Sequence, residues 1–217
     1  MDSRRPRFPL RVTRRDARRT DLRALALPTP VTPPGRVDPV AFAPAALELA
    51  LLGELLWCAH GAECAQTPRV PASSTAIDAR AIDVYVALAG GTYRYDPLRQ
   101  RLLPVHAGDL REAAQGAARG PDAAPVQLVF VADLRRLDEA CAASGALDAL
   151  DALARHGYCH VDAGLVAARV ALFADAHGLA TRLHPCDGAR LAQTLGLRAQ
   201  QRVLLAQSVG FAAEVTI

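Results

Sequence analysis

The run Val126-Gln127-Leu128-Val129-Phe130-Val131 constrains this chain most. Gly120-Pro121 precedes it and only Gln127 interrupts its apolar character, so it reads as a buried strand in a central position of a sheet. A second run, Ile82-Asp83-Val84-Tyr85-Val86-Ala87-Leu88, is a strand ended by Gly90-Gly91. After it, Tyr93-Arg94-Tyr95, Asp96-Pro97 and Arg101 to Val105 read as a small hairpin. Further strands are expected at 180–184 and from Arg202 to Val209.

Helices fit between these strands. Pro44 suits the first turn of a helix running to about His60, with Leu47, Leu51, Leu52, Leu55 and Leu56 on its buried stripe and Gly61 as its stop. Asp109 opens a short helix that reaches about Ala118, and residues 134–155 are helical with a break near Ser144-Gly145. Asp162 is expected to cap a long helix, Ala163–Ala176, terminated by Gly178, and a last helix covers 188–195. Helices and strands mixed in this order, with an antiparallel hairpin, point to an α+β class rather than a βαβ alternation.

Ahead of this body lies a different composition. Residues 1–20 hold eight Arg against two Asp, although the whole 217-residue chain has a net charge of only +3. The body is therefore mildly acidic and carries a basic arm. Arg14-Arg15 leads into Asp16, Arg18 and Arg19 rather than an apolar segment, which argues against twin-arginine export. The arm shows no aromatic interleaving and no recognition-helix pattern, so it reads as a solvated or self-docking tail rather than a nucleic-acid contact. Pro28, Pro30, Pro33, Pro34 and Pro39 keep the connector behind it extended. The expected division is an Arg/Pro-rich arm and connector over 1–35 and one domain over 36–217.

No apolar run is long enough for a membrane span. The five Cys, irregularly spaced and without a signal peptide, fit reduced thiols and a cytoplasmic setting. Cys58-Ala59-His60 followed by Cys64 lacks the tight Cys-x2-Cys knuckles of structural zinc sites, and no metal site is assigned. His156, Cys159 and His160 read as a capping or packing group before the next helix. The chain contains neither Lys nor Asn, so all 25 basic residues are Arg and no mechanism can use a lysine amine. Neither a phosphate-binding Gly-rich loop nor a nucleophile elbow is present.

Six collinear segments resemble the nitroreductase superfamily, in its thiazole- or azoline-oxidase-like branch. Leu55-Leu56-Trp57-Cys58-Ala59-His60-Gly61 is similar to that family's Leu-Leu-Trp-Ala-Ala-x-Gly helix end. Arg69 through Leu88 resembles its small flavin loop and the Ile-Asp-x-Tyr-Val strand after it. Tyr93 to Asp96 and Gly108-Asp109-Leu110-Arg111 match its hairpin and helix start. The segment Asp162 to Thr181 resembles its long core helix and exit, while Leu195-Gly196-Leu197 and Leu205-Ala206-Gln207-Ser208-Val209-Gly210-Phe211 match its C-terminal signature. The likeness spans about residues 36–211.

The resemblance implies a sandwich of mixed or antiparallel sheet flanked by helices, an intertwined homodimer, and FMN at the subunit interface. It further implies NAD(P)H as electron donor and a small organic acceptor, such as a nitroaromatic or quinone. Carried over position by position, it marks Arg36, Ser74, Thr75, Asp78, Arg80, Gly178, Leu179 and Ala180 as cofactor contacts; no catalytic side chain is assigned. Several positions depart from the family pattern. Arg36-Val37-Asp38 stands where the phosphate motif reads Arg-Arg-Ser, Asp78 replaces an Asn and Arg80 a Gln. Ala168-Arg169 replaces a Gln-Asn pair, and no basic residue follows Phe211. Arg80 either lends charge to the flavin or faces solvent, and Asp78 either accepts a flavin imide N–H or caps the next element. A flavin-free binding or scaffold subunit of the same fold is the alternative reading.

Overall fold

The computed structural model describes residues 41–61, 80–116, 124–144 and 152–213. Six strands form one sheet: β1 (Ile82–Leu88), β2 (Gly91–Asp96), β3 (Arg101–His106), β4 (Val126–Asp133), β5 (Ala180–His184) and β6 (Gln201–Gly210), in the order β3-β2-β1-β4-β6-β5. Of the mixed or antiparallel alternatives, the sheet takes the second: every neighbouring pair is antiparallel. The chain is α+β, as its element order implies.

All eight residues of β4 are buried, because β1 and β6 bond its two edges and helices cover its two faces. Its side chains alternate between two cores. Val126, Leu128, Phe130 and Ala132 face a larger core, shared with α1 (Leu49–His60) and α4 (Ala152–Ala176). Val129 and Val131 face a smaller one, shared with α2 (Arg111–Gln115) and α5 (Gly188–Thr194). Helix α3 (Leu134–Ser144) leaves directly from the end of β4 and sends Leu137 and Cys141 into the larger core.

Two helix starts differ from the sequence reading. Helix α1 begins at Leu49 rather than Pro44, and the chain ahead of Pro44 is held by the segment that follows β6. Phe42 bridges Ala212, the Ala43 N–H donates to Phe211 O at 2.8 Å and the Ala213 N–H to Ala41 O at 3.1 Å. That pairing keeps 41–43 extended and buries Phe42 to 1 % exposure. Helix α4 begins at Ala152, so Asp162 lies in its interior and is not its N-cap. Cys159, Ala163, Val166, Val170 and Ala174 form one continuous buried stripe, and its continuity carries the helix through Asp162, which is itself 2 % exposed. His156 and His160 accordingly sit on α4, one turn apart, with His160 Nδ1 3.0 Å from His156 O.

Helix α5 starts where the sequence puts it, whereas α2 ends at Gln115, with Gly116 at φ +60° behind it, rather than near Ala118. The carboxylate of Asp109 accepts from the Arg111 N–H at 3.0 Å at the start of α2, and Asp187 accepts from the Arg190 N–H at 3.0 Å at the start of α5. No helix among the described residues is long and apolar enough to cross a membrane.

Leu55 is wholly buried on α1, whereas Leu49 on the same helix is 72 % exposed. Leu55→Ala is expected to cost about 2–5 kcal/mol and Leu49→Ala no more than about 0.5 kcal/mol, read from urea unfolding at equilibrium.

Candidate functional site

Of the residues marked by resemblance, Arg36, Ser74, Thr75 and Asp78 lie outside the described residues; Arg80, Gly178, Leu179 and Ala180 are described. Gly178 ends α4 in the left-handed region at φ +67°, and the Leu179 N–H reaches back to Ala174 O at 2.9 Å, closing the helix end. A Cβ on Gly178 would meet no atom within 4 Å, so the turn is open on that side. Directly after it, Thr181 Oγ1 and Arg182 Nε are buried without a hydrogen-bond partner among the described residues. The Arg182 guanidinium carbon lies 5.9 Å from the centre of the Phe42 ring.

Arg80 stands at the other end of the sheet. Ala180 pairs with Gly210, next to the Val126–Val209 pair at the start of β4, whereas Ile82 pairs with Ala132 near its end. The two places are separated by roughly 20 Å along the strands and roughly 14 Å across three strand spacings. One protomer therefore cannot bring Arg80 and the Gly178 turn onto the same small ring system.

Arg80 instead borders a cavity of about 350 Å³ with the C-terminal end of α1, the β2–β3 hairpin and α3. Its backbone is left-handed, at φ +44°, and is held there from α3 and β4. Arg136 Nη1 donates to Arg80 O at 2.7 Å, and the Asp133 N–H donates to Ala81 O at 2.7 Å. The same Arg136 pairs with Asp83 at 2.6 Å and with Asp133 at 3.5 Å, and Arg198 reaches Asp133 at 2.8 Å. On the hairpin, Arg99 and Arg101 each lie 3.4 Å from Asp96. Burial lowers the pKa of His60, against the opposing pull of the Ile82 backbone and the Asp83 charge, so its ring is neutral at pH 7. Burial, with the Asp96 and Cys58 charges adding, pushes the Tyr95 phenol up to about 12.

On the sheet face covered by α2 and α5, one polar line crosses three strands. Ser208 Oγ lies 2.8 Å from His184 Nε2 and 3.0 Å from Gln127 Oε1, and His184 Nδ1 lies 3.0 Å from Pro185 O. A serine beside a histidine has the letters of a nucleophile and its base, but Ser208 and Gln127 are both fully buried, so no substrate reaches them. The group binds strands together. Nor are Cys159 and Cys186 poised as nucleophiles: burial, with acidic neighbours adding, pushes both thiols up to about 11. Cys58 is exposed while His60, two residues on, is buried, and Cys64 lies outside the described residues.

Sequence reasoning missed Arg94, Arg136 and His60 as neighbours of Arg80. They are 14, 56 and 20 residues from it along the chain, and no spacing rule links them.

No family model matches the chain, and no curated protein does. Solved structures do. A nitroreductase candidate of Ralstonia eutropha JMP134 is 30 % identical, with 83 % of this chain and 80 % of that one covered and a TM-score of 0.65. The E. coli microcin synthetase McbBCD complex with truncated pro-MccB17 bound contains a chain that is 16 % identical, with 92 % and 79 % covered and a TM-score of 0.70. The NADPH:FMN oxidoreductase of Vibrio harveyi, complexed with NAD+, is 17 % identical, with 82 % of this chain and 65 % of that one covered and a TM-score of 0.55. The last two share the fold.

Burial lowers the His184 pKa from its ordinary value of 6.5, against the Pro185 carbonyl and with the Arg182 charge. The folded ring stays neutral where the unfolded chain takes up a proton. Its contribution to stability is thus full above the unfolded pKa and is lost as pH falls through the lowered folded value. Stability against unfolding is expected to fall as the pH drops below His184's ordinary value of 6.5, and less steeply in His184→Gln, as read by urea titrations at each pH.

Proposed function

The chain belongs to the nitroreductase superfamily, and we propose that it is an FMN-dependent oxidoreductase passing electrons from NAD(P)H to a small organic acceptor. The observation that carries this reading is the Gly178 turn. An open left-handed glycine stands at the end of α4 beside Thr181 Oγ1, a buried polar atom without a partner among the described residues, in the segment that resembles the family's flavin contact. An open backbone turn and an unspent hydroxyl suit the edge of such a cofactor. FMN, when bound, supplies the hydride and electron chemistry, and the protein supplies position and polarity.

In this reading the turn Gly178 to Ala180 holds one edge of the ring system and excludes water from it. Arg80 belongs to the same site only through a second copy of the chain, given its place at the far end of the sheet. A homodimer is supported by helix α4, which presents Val161, Leu165 and Leu172 to solvent at 52 %, 39 % and 69 % exposure. These lie four and seven residues apart on one side of the helix, around Gly164 and Ala168, the small residues that let two helices approach closely. The chemistry of the thiols and of Ser208 supports the same division of labour, since no side chain there is poised to act as a nucleophile.

Purified protein is expected to be yellow, to carry one FMN per protomer and to have a dimer's mass by light scattering. Free FMN at a hundred times its Kd adds about 2.7 kcal/mol of stability, or roughly 5–10 °C in Tm for a domain of this size. Gly178→Ala places a methyl in the open turn and is expected to cost about 1–2 kcal/mol of fold stability while weakening FMN at least tenfold. Leu172→Glu is expected to give a monomer without bound flavin. A colourless protein whose Tm does not respond to millimolar FMN overturns the proposal and leaves a flavin-free binding subunit of the same fold.

A further inference from the structure

The charges around the Arg80 cavity do not cancel. Arg80, Arg94, Arg99, Arg101 and Arg136 border it, against Asp83 and Asp96. Arg136 occupies Asp83, and Arg99 with Arg101 occupies Asp96. Arg80 and Arg94 make no side-chain ion pair or hydrogen bond among the described residues, although both border the cavity. They reach it from different walls, Arg80 from the approach to β1 and Arg94 from β2. A third wall carries His60, 7 % exposed, whose Nδ1 is buried and has no partner among the described residues.

Guanidinium groups without partners among the described residues, approaching from two directions, suit a tetrahedral oxyanion better than a planar carboxylate, which one Arg can satisfy in bidentate fashion. The backbone around Arg80 is fixed in advance by Arg136 and Asp133, so less freedom is lost when an anion arrives. Tyr95, Ile82 and Leu103 supply an apolar wall for whatever carries the anion.

We propose that this cavity binds a phosphomonoester, with Arg80 and Arg94 as its ligands and His60 as a polar neighbour. Two bearers fit that chemistry, the ribityl phosphate of FMN and the 2′-phosphate of NADPH. The identity of the bearer rests on the oxidoreductase reading; the anion site does not.

Calorimetry on the full chain tests it, with inorganic phosphate, FMN against riboflavin, and NADPH against NADH. Phosphate is expected to bind, and one phosphorylated ligand is expected to bind at least tenfold more tightly than its phosphate-free partner. Arg80→Gln/Arg94→Gln is expected to erase that preference and to weaken phosphate about a hundredfold, since each charge-assisted contact is worth about tenfold or more. Arg99→Gln, which removes a residue already paired with Asp96, is expected to change it less than threefold. Far-UV circular dichroism and Tm confirm that each variant is folded. Loss of the FMN preference identifies the flavin phosphate, and loss of the NADPH preference identifies the donor's. Phosphate binding that the double variant abolishes in a colourless protein upholds the site while the flavin reading fails. FMN or NADPH binding that the folded double variant leaves unchanged, or no phosphate binding at all, overturns the site, and in the first case leaves the oxidoreductase reading standing.

Discussion

Eight successive residues of β4 are withdrawn from water, and a strand buried on both faces sets conditions on everything near it. Both edges need partners for their N–H and C=O groups, which β1 and β6 provide. Both faces need a roof, and two sets of helices of unequal size supply it. The unequal roofing matters for the site. The long helix α4 lies over one face and ends at the sheet's β5 edge in the open Gly178 turn, whereas the short helices on the other face seal the Gln127–Ser208–His184 line.

The C-terminal end of β4 is a second centre of organisation. Asp133, 2 % exposed, accepts from Arg198 and Arg136 and, through its backbone N–H, fixes Ala81. Arg136 in turn holds Asp83 and the Arg80 carbonyl. One buried carboxylate thereby ties α3, the foot of β1 and the entrance to β6 into a single frame. Without such a frame a non-glycine residue at φ +44° would relax to ordinary backbone geometry.

Strands were the legible part of the sequence. The apolar run at 126–131 and the turn at Gly90-Gly91 are local signals, and β4, β1 and the β2–β3 hairpin stand where those signals put them. Helix starts were less legible because their causes are not local. Pro44 has the chemistry of a first turn, but the chain just ahead of it is paired through Phe42 with Ala212, 170 residues away. Asp162 has the chemistry of a cap, but the buried stripe from Cys159 to Ala174 runs through it. The Gly178 turn was legible from one glycine after an apolar helix. The cavity was not: its arginines come from three separate elements, and in a chain with 25 arginines no single one stands out.

Because the chain has no lysine, every cation at that cavity is a guanidinium. A lysine ammonium sheds its proton when buried or crowded by like charge, whereas a guanidinium keeps its proton throughout the range in which proteins stay folded. Crowding five such groups around 350 Å³ thus creates a field that acidity cannot switch off. Only carboxylates and an incoming anion can neutralise it, so the guanidiniums themselves lend no acid-base rhythm to occupancy.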